Sequence, residues 1–302
     1  MAVISTGNFA KLLKPGLQKV WGLNYDEPQK FYPELFETAS SSQNYEEDQE
    51  VPGFGLVPVK SEGTAITYDS HQQGTTTRYT HIPYGMGFII THEEMKDNLY
   101  LKRGMQRTKA LARSFRITKE TVLGNIYNRA ETAGYTGGDG VVLLSVAHPC
   151  QNGNQANKAT TDADFSEAAL EDMLVIISKA VDSRGLKIGL QGRKLIGPVD
   201  NAFEFERVLK STLQSGTANN DTNAVRSMGL LPEGYVCSPF VTDTDSWFIR
   251  TDVSDGMKLI QRETATFAED GDFDTSNLKF KGYERYKGGW TDFRGLYGSM
   301  GA

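Results

Sequence analysis

The chain has 302 residues, 38% hydrophobic and 23% charged, with 32 Lys+Arg against 38 Asp+Glu for a formal net charge of −6. That length can bury a full core in one or two lobes, and the mild acidity argues against a general nucleic-acid binder held by phosphate contacts. No stretch approaches the ~18 apolar residues of a membrane span, the start MAVISTGNFAKLL lacks a signal-peptide h-region, and two cysteines and four histidines are too few for a disulfide framework or a metal pattern.

Residues 1–54 read as an arm. A short amphipathic piece (Phe9, Leu12, Leu13, Leu17, Val20, Trp21) is interrupted by Pro15 and followed by Pro28, Pro33, the polar run 40–44 and the acidic cluster Glu46-Glu47-Asp48. Trp21, Tyr25, Phe31, Tyr32, Leu35 and Phe36 are too aromatic for a disordered tail, so the arm is expected to order against neighbouring chains. Residues 55–90 read as an extended hairpin, with alternation at Val57 and Val59, at 65–68 and at 75–80 around the polar turn 69–74. Such a ribbon cannot stabilise itself in water and must lie on a partner.

A helix is predicted from Thr91, where Thr91 and Glu94 have capping-box spacing. Apolar residues follow at Met95, Leu99, Met105, Ala112, Phe115, Val122, Ile126 and Ala130, and the polar faces carry Lys102, Arg103, Arg107, Lys109, Arg113 and Arg116. Taken as continuous to the glycine-rich stop at 134–140, it would be about 60 Å long at ~1.5 Å per residue, a spine with Gly104 and Gly124 as bends.

From 141 to about 255 the pattern is mixed α/β: a short buried strand at 141–144, a helix from Phe165 to Arg184, a strand at 194–198, a helix from Ala202 to Leu213, a polar loop at 214–227, and strands at 235–237 and 247–249. The end, 257–297, is β-rich and aromatic.

Groups able to do chemistry are sparse. His92 sits where a zinc-protease helix would begin, but the second histidine position holds Lys96, which leaves His92 as a solvent-facing residue. The run 135–140 lacks the Gly-Lys-Ser/Thr of a phosphate loop. The acidic run 269–274 lacks the spacing and closing glutamate of a calcium loop. His148 and Cys150 flank Pro149 and need not face each other, so a structural role is expected for both. Lys279 to Lys287 alternates aromatic and charged residues, as a strand with one face packed on the long helix would.

Three stretches resemble the major capsid protein of tailed bacteriophages, of Hong Kong 97-like fold: Ile89 to Asn98, similar to the passage from ribbon into spine helix in Mu-like head subunits; Leu143 to Pro149 with Gly153 and Asn157; and Asp274 to Tyr286 with Gly289 to Gly298. The resemblance implies an α+β fold with an N-terminal arm (1–54), an extended β-hairpin loop over the neighbouring subunit (55–90), a peripheral domain with the spine helix (91–140), an axial α/β domain (141–255) and C-terminal strands completing the peripheral domain (256–302). It implies a structural major capsid (head) protein that self-assembles into an icosahedral shell around phage double-stranded DNA. The shell would belong to the virion and be assembled in the bacterial host cytoplasm. No catalytic, cofactor-binding or metal residues are expected, and no membrane contact.

The implied partners are the chain itself, as hexamers and pentamers, a portal, a decoration protein, and packaged DNA touched non-specifically by the spine Lys/Arg. A separate scaffolding protein is implied because no long charged, helical leader is present. Gly85-Met86-Gly87 and the spine glycines would flex between ring types. Lys60 lies at the base of the ribbon, but no partner asparagine or activating glutamate is identified, and cross-linking is not expected. Three alternatives stand beside this reading. An encapsulin-type nanocompartment would need an N-terminal cargo helix, which Pro15 disfavours. A hydrolase-like enzyme would use His148, Cys150 and the 269–274 loop. A nucleic-acid module would rest on the basic spine and the aromatic strand.

Overall fold

The computed structural model describes residues 7–70, 73–96, 100–214, 221–272 and 274–302. The expected ribbon turn at His71-Gln72, the helix positions Asp97, Asn98 and Leu99, part of the 214–227 loop, Phe273, and the side chains of Phe9, Leu12, Leu13, Met95 and Lys102 lie outside the described residues.

Helix α1 (Gly7–Asp26) opens the described chain and runs through Pro15 instead of breaking there. The correction has a tertiary cause. Leu17 and Trp21 are buried in a cluster with Ile90, Leu111, Ala112, Phe115, Phe267 and Phe280, and burial of that size outweighs one lost helix hydrogen bond. The aromatic arm therefore orders on its own subunit. Trp21 meets Phe115 edge-on at 5.4 Å and stacks on Phe267 at 5.2 Å. A short helix α2 (Tyr32–Leu35) follows, with a proline in its first turn, where a missing N–H costs nothing. The Glu120 carboxylate accepts from the Phe31 and Tyr32 backbone N–H groups, both at 3.0 Å, and so caps this helix from across the fold.

Strands β1 (Glu37–Ser40), β2 (Tyr45–Gln49), β3 (Thr76–Thr80) and β4 (Ile82–Ile90) come next. The hairpin expected within 55–90 is built differently. β3 pairs with β2, from the acidic part of the presumed arm, and residues 50–70 between them form no strand. Cross-strand chemistry explains the choice: Arg78 lies 3.8 Å over the Tyr45 ring and 3.7 Å from Glu47, its register partner.

Helix α3 (His92–Lys96) begins at the Thr91 cap, whose Oγ1 accepts from Glu94 N at 3.3 Å. Helix α4 (Tyr100–Asn128) is the spine, about 43 Å long at ~1.5 Å per residue. Its buried face carries Leu111, Ala112, Phe115, Leu123 and Tyr127, interrupted by the equally buried Arg116, Lys119 and Glu120. Val122 and Ile126, expected inside, are only half-buried, and Met105 is exposed.

Residues 141–144 make an isolated bridge, Val142 with Thr136, rather than a strand. Leu143 and Leu144 are nevertheless buried. The turn is held by Asn157, whose side-chain nitrogen donates to Leu143 O, Phe293 O and Leu296 O and whose Oδ1 accepts from Ser145 N. Strands β5 (His148–Cys150) and β6 (Gly153–Gln155) pair. Helix α5 (Glu167–Ser178) is capped by Ser166 and ends well before the expected Arg184. After strand β7 (Gly192–Gly197) come a 3-10 turn (Val199–Asn201), α6 (Ala202–Lys210), α7 (Ala224–Met228), β8 (Tyr235–Cys237) and β9 (Trp247–Thr251). The chain closes with the long strands β10 (Met257–Gly271) and β11 (Leu278–Trp290), a 3-10 turn (Phe293–Gly295) and β12 (Leu296–Ser299).

Two four-stranded sheets organise these elements, in the orders β1-β10-β11-β4 and β12-β9-β7-β8. The first carries α4 on one face. Along β11, Phe280, Gly282, Glu284, Tyr286 and Gly288 are buried while the residues between them are exposed or half-buried, as expected for a strand packed on the helix. The second sheet takes its last strand from the C-terminus: β10 and β11 lie in the first sheet, against the spine, and β12 pairs with β9. The expected α+β class holds.

Candidate assembly surfaces

A dense run of exposed apolar residues lies between β2 and β3. Leu56, Val57, Val59 and Tyr68 are 85%, 92%, 97% and 91% exposed, and Val51, Phe54 and Ile66 are exposed as well. Monomeric proteins scatter such residues singly; seven within eighteen positions mark a surface meant to be covered. The base of this segment is fixed. Glu50 accepts from Ser183 Oγ and lies 3.5 Å from Arg294, and its backbone pairs with Thr75 and Gly74. Its far end folds back on Arg184, which contacts Asp69 at 2.7 Å and donates to Gly53 O at 3.1 Å. This contact and two backbone N–H groups hold the Asp69 carboxyl down at about 2, hydrogen bonding by Arg184 being the main cause. An ion pair this exposed holds weakly and is readily exchanged.

A second surface is the edge of β4, which among the described residues pairs with β11 alone and exposes Ile82, Met86 and Ile89. Beside it a groove of about 530 Å³ runs between β3 and α4, lined by Arg78, Tyr84, Val122, Ile126, Arg129 and Tyr135 among others.

The residues able to do chemistry do not converge. His148 is fully buried, stacked 3.9 Å on Phe293, with Nδ1 2.6 Å from Asp139 and Nε2 3.2 Å from Asn157. Cys150 faces Arg294 instead, whose Nη2 lies 3.4 Å from Sγ. Burial pushes the Cys150 thiol up despite Arg294, which disfavours the nucleophilic thiolate, and burial likewise takes Cys237 to about 11. Arg294 is itself a structural clamp, donating to Val181 O at 2.9 Å, Gln155 Oε1 and both Asp292 oxygens.

The acidic run lies elsewhere, at the turn from β10 to β11, where Asp272 pairs with Lys279 at 2.7 Å. It is separated from the Phe293 end of β11 by thirteen residues of strand, about 43 Å at ~3.3 Å each. His92 is half-buried, its backbone N donating to Asn277 Oδ1 at 3.0 Å. Among the described residues no group of three or more His, Cys, Asp or Glu could hold a metal ion, and no helix is long and apolar enough to cross a membrane.

The basic face expected on the spine is reduced. Arg116 is buried, paired with Glu120 at 2.9 Å and lying 4.8 Å over Tyr32. Arg103 and Arg107 engage Glu94 at 3.7 and 3.1 Å. Gly124, expected as a bend, is a close approach: a Cβ there would sit 2.7 Å from Phe240 O. Gly87, expected in a hinge, lies within β4 opposite Lys281.

A long helix laid across an open sheet, a second sheet closed by the C-terminal strand, and a large apolar segment that the chain leaves uncovered define a shell-forming subunit of Hong Kong 97-like fold. Solved structures share the architecture. A virus-like particle from Pyrococcus furiosus is 11% identical, with a TM-score of 0.56, over 94% of this chain and 98% of that one. Microbacterium phage Oxtober96 is 10% identical with a TM-score of 0.56, covering 91% and 93%. The capsid of an empty GTA particle is 12% identical with a TM-score of 0.55, covering 91% and 95%. No curated protein matches the chain. The phage capsid protein family matches residues 74–299, and the chain belongs to that family. It is a structural major capsid protein.

Proposed function

We propose that this subunit builds an icosahedral phage head around double-stranded DNA by associating with copies of itself in hexamers and pentamers. The observation that carries this reading is the uncovered apolar segment 51–68, whose side chains find water in the free subunit and a neighbour in a shell. Residues 1–54 act as the arm, 55–90 as the loop reaching the neighbour, 91–140 with the strands β10 and β11 of the 256–302 segment as the peripheral domain, and 141–255, joined by β12, as the axial domain. The role is structural, without catalysis. Assembly takes place in the bacterial host cytoplasm with a separate scaffolding protein, a portal and a decoration protein, and the exposed spine cations Lys109 and Arg113 touch packaged DNA non-specifically. Each contact is modest, and closure makes loss of a subunit costly because several neighbours hold it at once.

Negative-stain microscopy with light scattering on the purified full chain tests this. Closed shells, or discrete rings that convert to shells, support it. A stable monomer under all conditions, with and without a candidate scaffolding protein, overturns it. One observation favours a second reading, a nanocompartment of encapsulin type: α1 is a continuous helix packed on the spine, so Pro15 no longer counts against an N-terminal helix. Particles that carry protein cargo and no nucleic acid would favour that reading over a DNA-filled head.

A further inference from the structure

Where the β2–β3 ribbon meets the outer face of the first sheet, four nitrogens are buried without partners: both ring nitrogens of His81, Nη1 of Arg262 and Nε of Arg285. His81 is only 3% exposed. Buried polar atoms are nearly always satisfied, and three of these four are donors even with a neutral imidazole, so the group asks for an acceptor.

The backbone brings them together. His81 continues the β2–β3 ladder, its N–H donating to Asn44 O at 3.4 Å. Arg285 of β11 stands opposite Pro83 of β4 and Glu263 of β10, and its Nη2 donates to Asn44 Oδ1. The β10 register breaks between Gln261 and Glu263, the irregularity that places Arg262 here. Arg262 also lines an open groove of about 530 Å³ over Thr38, Ser40, Thr264 and Thr266, which supplies an entrance. Around His81 itself the cations outnumber the acid: Arg262 and Arg285 act on it against Glu46, which already accepts from Ser41 Oγ, while Glu263, opposite Arg285 in the sheet, is exposed.

We propose that His81, Arg262 and Arg285 bind a small tetrahedral oxyanion of the phosphate class, entering along the Thr38–Thr264 groove. Two guanidinium groups with free N–H donors and an imidazole match such an ion in charge and in donor geometry. The burial of His81 restricts the site to a free ion, since the phosphodiester of a polynucleotide cannot follow it inward. Burial, aided by the two arginines, holds His81 neutral in the empty site. A bound anion reverses the electrostatic part of that, so ion and proton bind cooperatively.

The test is a titration of dissociated full-length subunits with inorganic phosphate at constant ionic strength set by chloride. It is read by calorimetry and by the 13Cε1 signals of the four histidines. The expected result is a saturable shift confined to His81, with its titration midpoint moved upward by phosphate. Arg262→Gln and Arg285→Gln should each weaken binding about tenfold, as for loss of one charge-assisted contact. No saturable shift in the unmodified chain overturns the proposal whether or not the variants fold. So does an unchanged affinity in Arg262→Gln, which leaves the shift to general screening. An oligonucleotide without terminal phosphates should leave the His81 signal unmoved; an equal shift would overturn the free-ion assignment.

Discussion

Lys119 of the spine and Glu284 of β11 form an ion pair at 2.6 Å with neither side chain reaching solvent. Glu284 also accepts from Tyr25 of α1 at 3.0 Å and from Gln261 of β10 at 3.3 Å, so one carboxylate joins the N-terminal helix, the spine and the sheet. Lys119→Met strands that carboxylate inside the protein and should cost about 3–5 kcal/mol in urea unfolding, whereas Lys119→Met with Glu284→Leu should recover most of the loss. Equal costs for the single and the double variant would refute this account of the pair.

Val57→Asp and Val59→Asp alter side chains that touch almost nothing in the free subunit. Their unfolding free energy should stay within about 0.5 kcal/mol of the parent. Light scattering should nevertheless show assembly blocked, because a carboxylate would then be buried against a neighbour. Shells of normal yield would remove the segment from the assembly surface.

Acid should weaken the subunit partly through His81, which burial and the two arginines hold below its ordinary 6.5. A base with a depressed folded pKa binds fewer protons folded than unfolded, so its contribution is complete above about 6.5 and is lost as pH falls toward the folded value. Unfolding measured in phosphate-free buffer should therefore decline below that pH, and more steeply than in His81→Gln. The buried Asp292 and Glu120, whose carboxyls are pushed up, pull the other way and are common to both proteins, so the difference isolates His81. Parallel profiles would count against the assignment.

Gly282 lets the spine lie close on β11: a Cβ there would stand 2.7 Å from both Phe115 and Trp21 ring atoms. Gly282→Ala should cost about 1–3 kcal/mol by overpacking. Gly85→Ala is the control, its nearest neighbour being 3.7 Å away. Calorimetric melting of the two variants separates a packing role from a general loss of glycine.

The spine, the central helix α5, the strands near 194, 235 and 247, and the aromatic C-terminal strands were legible because apolar spacing and caps declare them. The inner face of the spine was harder to read. Arg116, Lys119 and Glu120 occupy its middle, and charged side chains neutralised by distant partners look solvent-facing in a linear pattern. The continuity of α1 through Pro15 was hidden for a related reason, since the burial of Leu17 and Trp21 that sustains the helix depends on distant partners and propensity alone breaks it there. The β2–β3 pairing rests on Arg78 with Tyr45 and Glu47, a contact between segments about thirty residues apart, and no local signal marks it. Among the surfaces, the run Leu56, Val57, Val59 was visible in the sequence, but Arg184, Glu50 and Arg294, which fix the segment's two ends, carry no pattern of their own.

The hairpin of β10 and β11 is also a lever. It moves as one body with β4 and the spine packed along it, is anchored to Ile196 and Phe248 of the second sheet through the cluster that holds Met257 and Trp290, and its turn lies about 43 Å away along β11 at ~3.3 Å per residue. A rotation of about 5° at the anchored end moves the turn by roughly 4 Å over a strand of that length. A change of inclination too small to disturb any packed side chain at the anchor becomes a displacement as large as a residue at the tip, where the acidic turn lies. Adjustment of shell curvature can thus be read out far from where it is made, with the hairpin as the pointer.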